Sequence, residues 1–350
     1  MATPTPRPEG TTPARAGQEH GGQAQSLHHT ENEKVPWSAE IWKAIHRAVH
    51  DETMRVRVGA KFLPHQDYDP TTTAVPSGTV VNAPINNESN NTLTVDEGQT
   101  IRLNEIWTEF ALTPQQIHDT ADAKNPEQAT AVTLARRAAQ YLALAQDIVI
   151  FQGLHGYSAP FFAQNVRFRG PLPADGGLLS LTGGPFSSPN PPIQVSPLVD
   201  GPPGFRYGEN TLTAVTQGYA ILTGQGQPGP YALILNTVPY ADLFAAVGSG
   251  SLVITADRVE PLVKAGLFGT GTLPPYAVLP PGPRPISPPG PPYYAVLVSI
   301  GGGTMDLAVG LHATTVFMQQ DINELWRFRV LVRFALRVLD TTAIQVLEFN

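Results

Sequence analysis

The sequence PEQATAVTLARRAAQYLALAQDIVIFQ, residues 126–152, predicts the clearest helix of the chain. Its apolar side chains recur at helical spacing and form one stripe, made of Val132, Ala135, Ala139, Leu142, Ala145 and Val149. Arg136, Arg137 and Gln140 face away from that stripe. Gly153 follows directly, and glycine is a common residue at the end of a helix. We therefore expect a long amphipathic helix that ends at residue 152.

The sequence WRFRVLVRFALRV, residues 326–338, alternates with the period of a strand. Its even-numbered side chains are apolar, and its odd-numbered side chains include Arg327, Arg329, Arg333 and Arg337. One interpretation is a half-buried strand whose other face is solvated. The sharper interpretation is that the four arginines form ion pairs with carboxylates of a neighbouring subunit or of a bound cargo.

The N-terminal third contains three further segments. Residues 1–34 are polar and rich in Pro, Gly, Thr and Gln, which predicts a disordered tail. Ser38 is a plausible N-cap for a helix, and strand character follows at 56–63. Residues 67–112 predict a long β-hairpin with a tip at NNESNN, 86–91. Because neither arm is apolar enough to form a core alone, we expect the hairpin to lie on another surface, such as a second subunit.

The remaining segments mix helices and strands, which predicts an α+β fold. The predicted helices lie at 209–223, 241–247 and 258–264, and the predicted strands lie at 231–235, 305–309 and 314–318. Residues 158–208 are loop-like, and the Pro-rich segment 279–292 predicts an exposed loop.

Glycines at 301–303 raise the question of a phosphate-binding loop. The sequence IGGGTMDL, residues 300–307, follows an apolar strand and is similar to a phosphate loop of actin-like ATPases. The N-terminal phosphate hairpin of those enzymes has no counterpart here, and too few residues follow Gly303 for their second domain. We therefore expect a tight turn between two strands.

Composition narrows the class of protein. The chain has 350 residues and a net charge of −7, which gives no reason to expect nucleic acid as its main partner. It contains no cysteine, no apolar run long enough for a membrane helix and no signal-peptide pattern, so a cytoplasmic protein is expected. His46 and His50 lie four residues apart, but they have no third ligand at a recognisable spacing. We expect no catalytic residues, no metal and no cofactor.

Five phrases of sequence occur in a characteristic order. They are AEIWKAIHRAVHDETMRVRVGAKF (39–62), LAQDIVIFQG (144–153), GPYALILNTVPYADLF (229–244), AVLVSIGGGTMDLAVGLHATTVFM (295–318) and FALRVLDTTAIQVLEF (334–349). Together they resemble the encapsulins, bacterial and archaeal shell proteins with the tailed-phage capsid fold of the Hong Kong 97 type. The resemblance is closest to the first, linocin-like family, although Gln146 stands where an acidic residue is usual.

The resemblance implies a division of the chain and a function. The function is a self-assembling icosahedral shell of 60 or more copies in the bacterial or archaeal cytoplasm. The shell would enclose a cargo enzyme, such as a ferritin-like protein or a dye-decolourising peroxidase. The implied parts are a disordered tail (1–34), an N-terminal helix and first strand (35–66), an extended loop (67–112), a P-domain with a spine helix (113–208), an A-domain (209–293) and a return to the P-domain (294–350).

The resemblance also implies two sites. A cargo peptide would dock between the N-terminal helix and the P-domain, at or beside Trp42, Ile45, Val49, Phe62, Val309 and Leu311. The alternative is that these are ordinary core residues. Ala60 stands where the family often has a basic residue, and Pro64 stands where it often has an acidic one. A five-fold pore would be formed by Gly248, Ser249, Gly250 and Ser251, which are small and uncharged.

A major capsid protein of a tailed phage or prophage is the main alternative. Some phage relatives cross-link a lysine of the extended loop. This chain has five lysines, and none lies between residues 67 and 112. The encapsulin interpretation is therefore favoured.

Overall fold

The structure is a computed structural model that describes residues 34–84, 91–95, 98–153, 165–169, 177–179, 190–198, 207–245, 253–273 and 293–350. Its helices are α1 (Ala39–Val56), α2 (Gly59–Phe62), α3 (Pro114–Ala121), α4 (Thr130–Gln152), α5 (Glu209–Gly224), α6 (Thr237–Leu243) and α7 (Thr255–Val259). Its strands are β1 (His65–Asp67), β2 (Ala74–Pro76), β3 (Val80–Pro84), β4 (Asn91–Val95), β5 (Thr100–Arg102), β6 (Asn104–Leu112), β7 (Arg167–Arg169), β8 (Ile193–Val195), β9 (Tyr231–Asn236), β10 (Gly266–Thr270), β11 (Tyr293–Ser299), β12 (Met305–Gln320), β13 (Trp326–Val338) and β14 (Ile344–Phe349).

The first sheet carries the two long N-terminal helices. Its strand order is β1-β12-β13-β6-β7. The even-numbered side chains of β13, from Phe328 to Val338, enter one core with the apolar faces of α1 and α4. The apolar face of β13, seen in the sequence as alternation along 326–338, thus packs in the same core as the apolar stripe of α4, seen along 126–152.

The second sheet is buried on both faces. Its strand order is β10-β9-β11-β14-β8. Ala232 and Ile234 of β9 face the core that holds α1 and α4, whereas Leu233 and Leu235 face a second core against α5. All six residues of β9 are buried, which explains the continuous apolar run YALIL in the sequence.

The glycine-rich segment is a turn between the two sheets. Residues 300–304 connect β11 of the second sheet to β12 of the first. Gly302 and Gly303 have φ angles of +75° and +71°, which side chains other than glycine rarely adopt. A Cβ at Gly301 would lie 2.5 Å from the carbonyl oxygen of Gly229. The three glycines therefore serve backbone packing, as the turn prediction requires.

The predicted hairpin is only partly a separate arm. β3 and β4 pair antiparallel, with Pro84 opposite Asn91, and β2 pairs with β5 nearer the base. The last part of the predicted segment, β6, instead pairs with β13 inside the first sheet. Most of the predicted tip lies outside the described residues.

The strand predicted at 56–63 is wrong. Helix α1 continues to Val56, and a short helix, α2, follows two residues later. The N-cap residue of α2 is Val58, which has no side-chain oxygen to cap the helix. A carboxylate from α4 accepts its first N–H groups instead, and this contact between distant residues is not visible in the local sequence.

Other boundaries differ by a few residues. The helix predicted at 126–152 begins with a 3₁₀ turn at Pro126–Gln128, and α4 starts at Thr130. The helix predicted at 241–247 begins earlier, as α6, because the Asn236 side chain accepts the N–H of Val238 at 3.1 Å. The helix predicted at 258–264 is replaced by α7. The strands predicted at 305–309 and 314–318 are one long strand, β12, with bulges between them.

Candidate docking and assembly site

Four of the six residues predicted to line a cargo groove lie in the core. The side chains of Ile45 and Val49 are 0% exposed, and those of Phe62 and Val309 are also buried. The ring of Phe62 packs between Phe151 and Phe268, at centroid distances of 6.4 and 5.9 Å. These four side chains contribute to the core. Trp42 and Leu311 are partly exposed. Leu311 lies opposite Arg333 in the strand register and so on the arginine-bearing face of the first sheet, whereas Trp42 packs on the other face, beside Phe328. The structure therefore does not bring these two residues together.

An aromatic cluster fixes α1 against the first sheet. The ring of Trp42 lies 5.2 Å from that of Trp37 and 5.9 Å from that of His46. Trp37 stacks on Phe328 at 5.0 Å, and its indole N–H donates to the carbonyl oxygen of Ile117 at 3.1 Å. Trp37 is therefore anchored in the core, while Trp42 forms the outer edge of the cluster.

A buried carboxylate joins α4 to the segment between α1 and α2. Asp147 accepts the backbone N–H groups of Val58 and Gly59 at 2.7 and 2.8 Å. Burial raises the pKa of Asp147 to about 7, and this outweighs the opposing effects of the two N–H donors and of the Arg57 charge. This contact holds the N-terminal helix to the spine helix at a fixed position.

Arg57 lies beside this carboxylate with few partners. It is buried, and burial lowers the pKa of its guanidinium, while Asp147 opposes that shift. Its Nη1 lies 3.5 Å from Oε1 of Gln146, which is a marginal hydrogen bond. The Arg57 Nε and the Gln146 Nε2 have no partner among the described residues. The acidic residue that the resemblance leads one to expect at 146 would lie against this cation.

The arginine face of β13 has carboxylate partners within the chain. Arg329 lies directly opposite Glu109, Arg333 opposite Glu105 and Arg337 opposite Asp306 in the strand register. The fourth, Arg327, pairs with Asp321 of the β12–β13 turn at 2.9 Å. The shortest contacts of Arg329 and of the Arg337 Nε are 2.8 and 2.7 Å. Intermolecular partners are thus not needed to balance these four cations, and ion pairing with a neighbouring subunit stays a prediction.

Several predicted features lie outside the described residues. They are the pore residues Gly248, Ser249, Gly250 and Ser251, almost all of the N-terminal tail and the whole of the Pro-rich segment 279–292. Within the described ranges, no group of three or more His, Asp or Glu side chains is placed to hold a metal ion. No helix in those ranges is long and apolar enough to cross a membrane.

The N-terminal part of the chain matches a known protein family. Residues 28–160 match the Linocin M18 family, which is described as an encapsulating protein for peroxidase. This segment contains α1, the extended loop, β6 and the spine helix α4. The resemblance to the encapsulins is confirmed. The matched description is of a protein that encloses an enzyme, and the family is structural rather than catalytic.

Solved structures show the fold. The virus-like particle from Pyrococcus furiosus matches with a TM-score of 0.58 and 14% identity, over 88% of this chain and 100% of that one. The chain has the Hong Kong 97-type capsid fold. The capsid of Myoviridae phage XM1 (TM-score 0.49, 12% identity, 84% and 92% covered) and the holo-SrpI encapsulin complex from Synechococcus elongatus (0.44, 14%, 83% and 86%) are more distant. No curated protein matches the sequence.

Sequence reasoning missed the residues that join the parts of this capsid fold. The role of Asp147 was hidden in the apolar phrase LAQDIVIFQG, where a charged residue in a buried helix end was the available signal. The partners of the β13 arginines were signalled by Glu105 and Glu109, which alternate with apolar residues along β6. In both cases the signal was a carboxylate in an apolar element, and the partner was distant in sequence.

Proposed function

We propose that this chain assembles with 60 or more copies of itself into a closed icosahedral shell that encloses a cargo enzyme. The match of residues 28–160 to a family of encapsulating proteins carries the proposal. The fold, shared with the subunit of a virus-like particle, supports it. In a closed shell each subunit buries surface on its neighbours, so the chain must present surfaces that need a partner.

The extended loop is one such surface. β3 and β4 form a separate two-stranded sheet, and a two-stranded ribbon is marginally stable by itself in water. Val95, at the end of β4, is 53% exposed. A neighbouring subunit beneath the ribbon would stabilise it and cover this side chain.

Cargo docking is proposed at the exposed side of α1. Trp42 supplies the partly exposed apolar surface there, above a core that includes the buried Ile45, Val49, Phe62 and Val309. A short peptide of the cargo, carrying apolar side chains, would suit this surface. The cargo classes we propose are a dye-decolourising peroxidase and a ferritin-like protein. The family description names a peroxidase without giving its kind.

Substitution on α1 tests the docking surface. Trp42→Ala removes the exposed ring, whereas Lys43→Ala changes the adjacent exposed side chain. We expect Trp42→Ala shells to contain much less cargo and Lys43→Ala shells to contain the wild-type amount, measured by mass spectrometry of purified shells. Equal cargo in both variants would contradict docking at Trp42.

The pore proposal concerns Gly248, Ser249, Gly250 and Ser251. Because these residues are small and uncharged, we propose a pore with little charge selectivity. Changing Ser249 and Ser251 to Asp should slow the entry of anions into the shell and favour cations. Unchanged uptake of both kinds of ion would contradict this assignment.

Electron microscopy of the purified chain, with mass spectrometry of co-purifying material, tests the function as a whole. Sixty copies of 37.5 kDa correspond to roughly 2 MDa. Uniform closed shells that contain a bacterial or archaeal enzyme would support a cytoplasmic compartment. Shells filled with nucleic acid would support the phage-capsid alternative, and a small soluble species would contradict both.

A further inference from the structure

The base of the extended loop is packed onto the arginine-bearing face of the first sheet. Val75 of β2 is buried in a small cluster with Leu103, Ala308 and Ala335. Gly310 of β12 makes room for this packing, because a Cβ there would lie 2.7 Å from Cδ1 of Leu103. The loop therefore leaves the sheet through a specific contact rather than as a free arm.

Arg333 joins the sheet to the first segment of the loop, between β1 and β2. Its Nε donates to Glu105 at 3.2 Å, and its Nη1 donates to the backbone carbonyl oxygen of Pro70 at 2.7 Å. One guanidinium group thus neutralises a carboxylate of β6 and, with a spare N–H, holds a carbonyl oxygen between β1 and β2.

Arg337 makes the same kind of connection one step further along the loop. Its Nε donates to Asp306 at 2.7 Å, and its Nη1 donates to the carbonyl oxygen of Pro76 at 3.3 Å. It also donates to the side chain of Gln66 and lies over the ring of Tyr68, 5.8 Å from the centroid. The Arg337 side chain is only 9% exposed in this arrangement.

The other two arginines of this face bond to partners outside the base of the loop, residues 67–103. Arg329 pairs with Glu109 and lies 4.3 Å over the ring of Trp107, and Arg327 pairs with Asp321. Within the described ranges, neither donates a hydrogen bond to residues 67–103. The same strand therefore carries two arginines that hold the loop base and two that do not.

We propose that Arg333 and Arg337, here called the arginine clamp, set the direction in which the extended loop leaves the sheet and so fix the geometry of subunit assembly. The proposal rests on the proposed shell function. A guanidinium suits this role because its N–H donors point in several fixed directions, so that it can bond a carboxylate and a carbonyl oxygen together. The ammonium group of lysine carries its donors on one nitrogen atom, so it does not reproduce the spread of donors that these acceptors use.

The exit direction matters because a small rotation at the base of the loop causes a large displacement at its far end. The strand from Gly78 to Pro84 extends about 20 Å at about 3.3 Å per residue. A tilt of about 10° at the base would move its far end by about 3–4 Å, more than hydrogen-bonding contacts with a neighbour tolerate. A loop with a variable exit angle would give irregular or unclosed assemblies.

Spin labels can measure the exit angle directly. The chain contains no cysteine, so the substitutions Val95→Cys on β4 and Lys43→Cys on α1 create a single pair of labelling sites. Pulsed electron resonance on labelled chains, diluted into unlabelled chains, gives the distribution of distances between them. We expect a narrow distribution in the wild-type background, and one at least twice as wide when Arg333→Lys and Arg337→Lys are combined.

Matched controls lie on the same strand. Arg327→Lys combined with Arg329→Lys makes the same chemical change at the two arginines outside the clamp, and should leave the distance distribution unchanged. If the clamp variant does not fold, as judged by circular dichroism, Tyr68→Leu is the second variant. It removes the loop ring over which Arg337 lies and leaves both ion pairs in place, and it should broaden the distribution to a smaller extent.

Assembly provides the second measurement. By electron microscopy, we expect the clamp variant to give few closed shells or shells of mixed diameter, and the control variant to give shells of one diameter. Distance distributions of equal width in the wild type and the clamp variant, whether both are narrow or both are wide, would overturn the proposal that the arginine clamp sets the exit direction. A wild-type chain that forms no shells would contradict the proposed function, while the distance measurement would still judge the clamp.

Discussion

The side chain of Asp147 accepts the backbone N–H of Gly59 at 2.8 Å, although 88 residues separate them. The same carboxylate accepts the N–H of Val58, so it caps the short helix α2 in place of a side chain from that helix. The end of the N-terminal helix is thereby fixed to the spine helix. Four predictions follow from this junction and from the aromatic cluster near it.

The first prediction concerns the pH dependence of stability. The pKa of Asp147 is raised from 3.8 to about 7 in the folded chain, mainly by burial. Between about pH 4 and pH 7, the folded state therefore holds a proton that the unfolded state has lost. This stabilisation is fully present below about pH 4 and is lost as the pH rises through about 7. The size of this stabilisation is on the order of 4 kcal/mol, because each unit of difference in pKa corresponds to about 1.36 kcal/mol.

Asp147→Asn removes this titration and tests the sign. As the pH rises from 4 to 7, the free energy of unfolding of the variant, measured in urea, should increase relative to that of the wild type. Both proteins should be measured at one chain concentration, because assembly also stabilises the folded chain. If this difference stays constant over the range, or changes in favour of the wild type, the two N–H donors rather than burial determine the pKa of Asp147.

The second prediction concerns the close approach at Gly59. A Cβ at this position would lie 2.8 Å from Cδ1 of Ile150 and 3.2 Å from Oδ1 of Asp147. Gly59→Ala should therefore lower the free energy of unfolding by roughly 1–3 kcal/mol through overpacking. Ile150→Val removes the nearest methyl group, so the double variant should be more stable than the sum of the two single changes predicts. Simple additivity of the two changes, measured by urea unfolding, would contradict the contact.

The third prediction concerns the buried Arg57. Gln146→Glu replaces the unpartnered amide nitrogen with a charged oxygen close to the guanidinium. Because Arg57 is already buried with few partners, we expect the free energy of unfolding to rise by about 1–3 kcal/mol. Gln140→Glu, beside the exposed Arg137, makes the same change where solvent screens the charge, and should add less than about 0.5 kcal/mol. Equal effects at the two positions would refute the importance of burial.

The fourth prediction compares Trp42, which lies in α1, with Trp37, which lies just before that helix. Trp37→Phe keeps an aromatic ring against Phe328 but removes the indole N–H that donates to the buried carbonyl oxygen of Ile117. We expect a loss of about 1–3 kcal/mol in the free energy of unfolding. Trp42→Phe should lose less, because Trp42 is more exposed. Thermal unfolding of the two variants should therefore differ, and a larger loss at Trp42 would contradict the proposed division between anchor and edge.

Local patterns in the sequence predicted the main elements well. The strand predicted at 326–338 has those bounds in the structure, and the spine helix ends at Gln152 as expected. These predictions succeeded because hydrophobic periodicity reports directly which face of an element is buried. The turn at 300–304 could also be predicted, since glycine at positive φ is a local requirement. The five phrases then identified the capsid fold from their order.

Only the tertiary structure decided where the polar groups of these elements find their partners. The arginines of β13 were visible in the sequence, but Glu105, Asp306 and the carbonyl oxygens of Pro70 and Pro76 are brought to them by strand pairing across the sheet. Helix α2 forms because a carboxylate from α4 caps it, against the strand character of its own residues. Likewise, the burial of Ile45, Val49, Phe62 and Val309 depends on how α1 is seated. The physical reason is the same in each case: the amphipathic pattern of a segment sets its own conformation and its buried face, whereas ion pairs, caps and depth of burial depend on which distant segments the fold brings into contact.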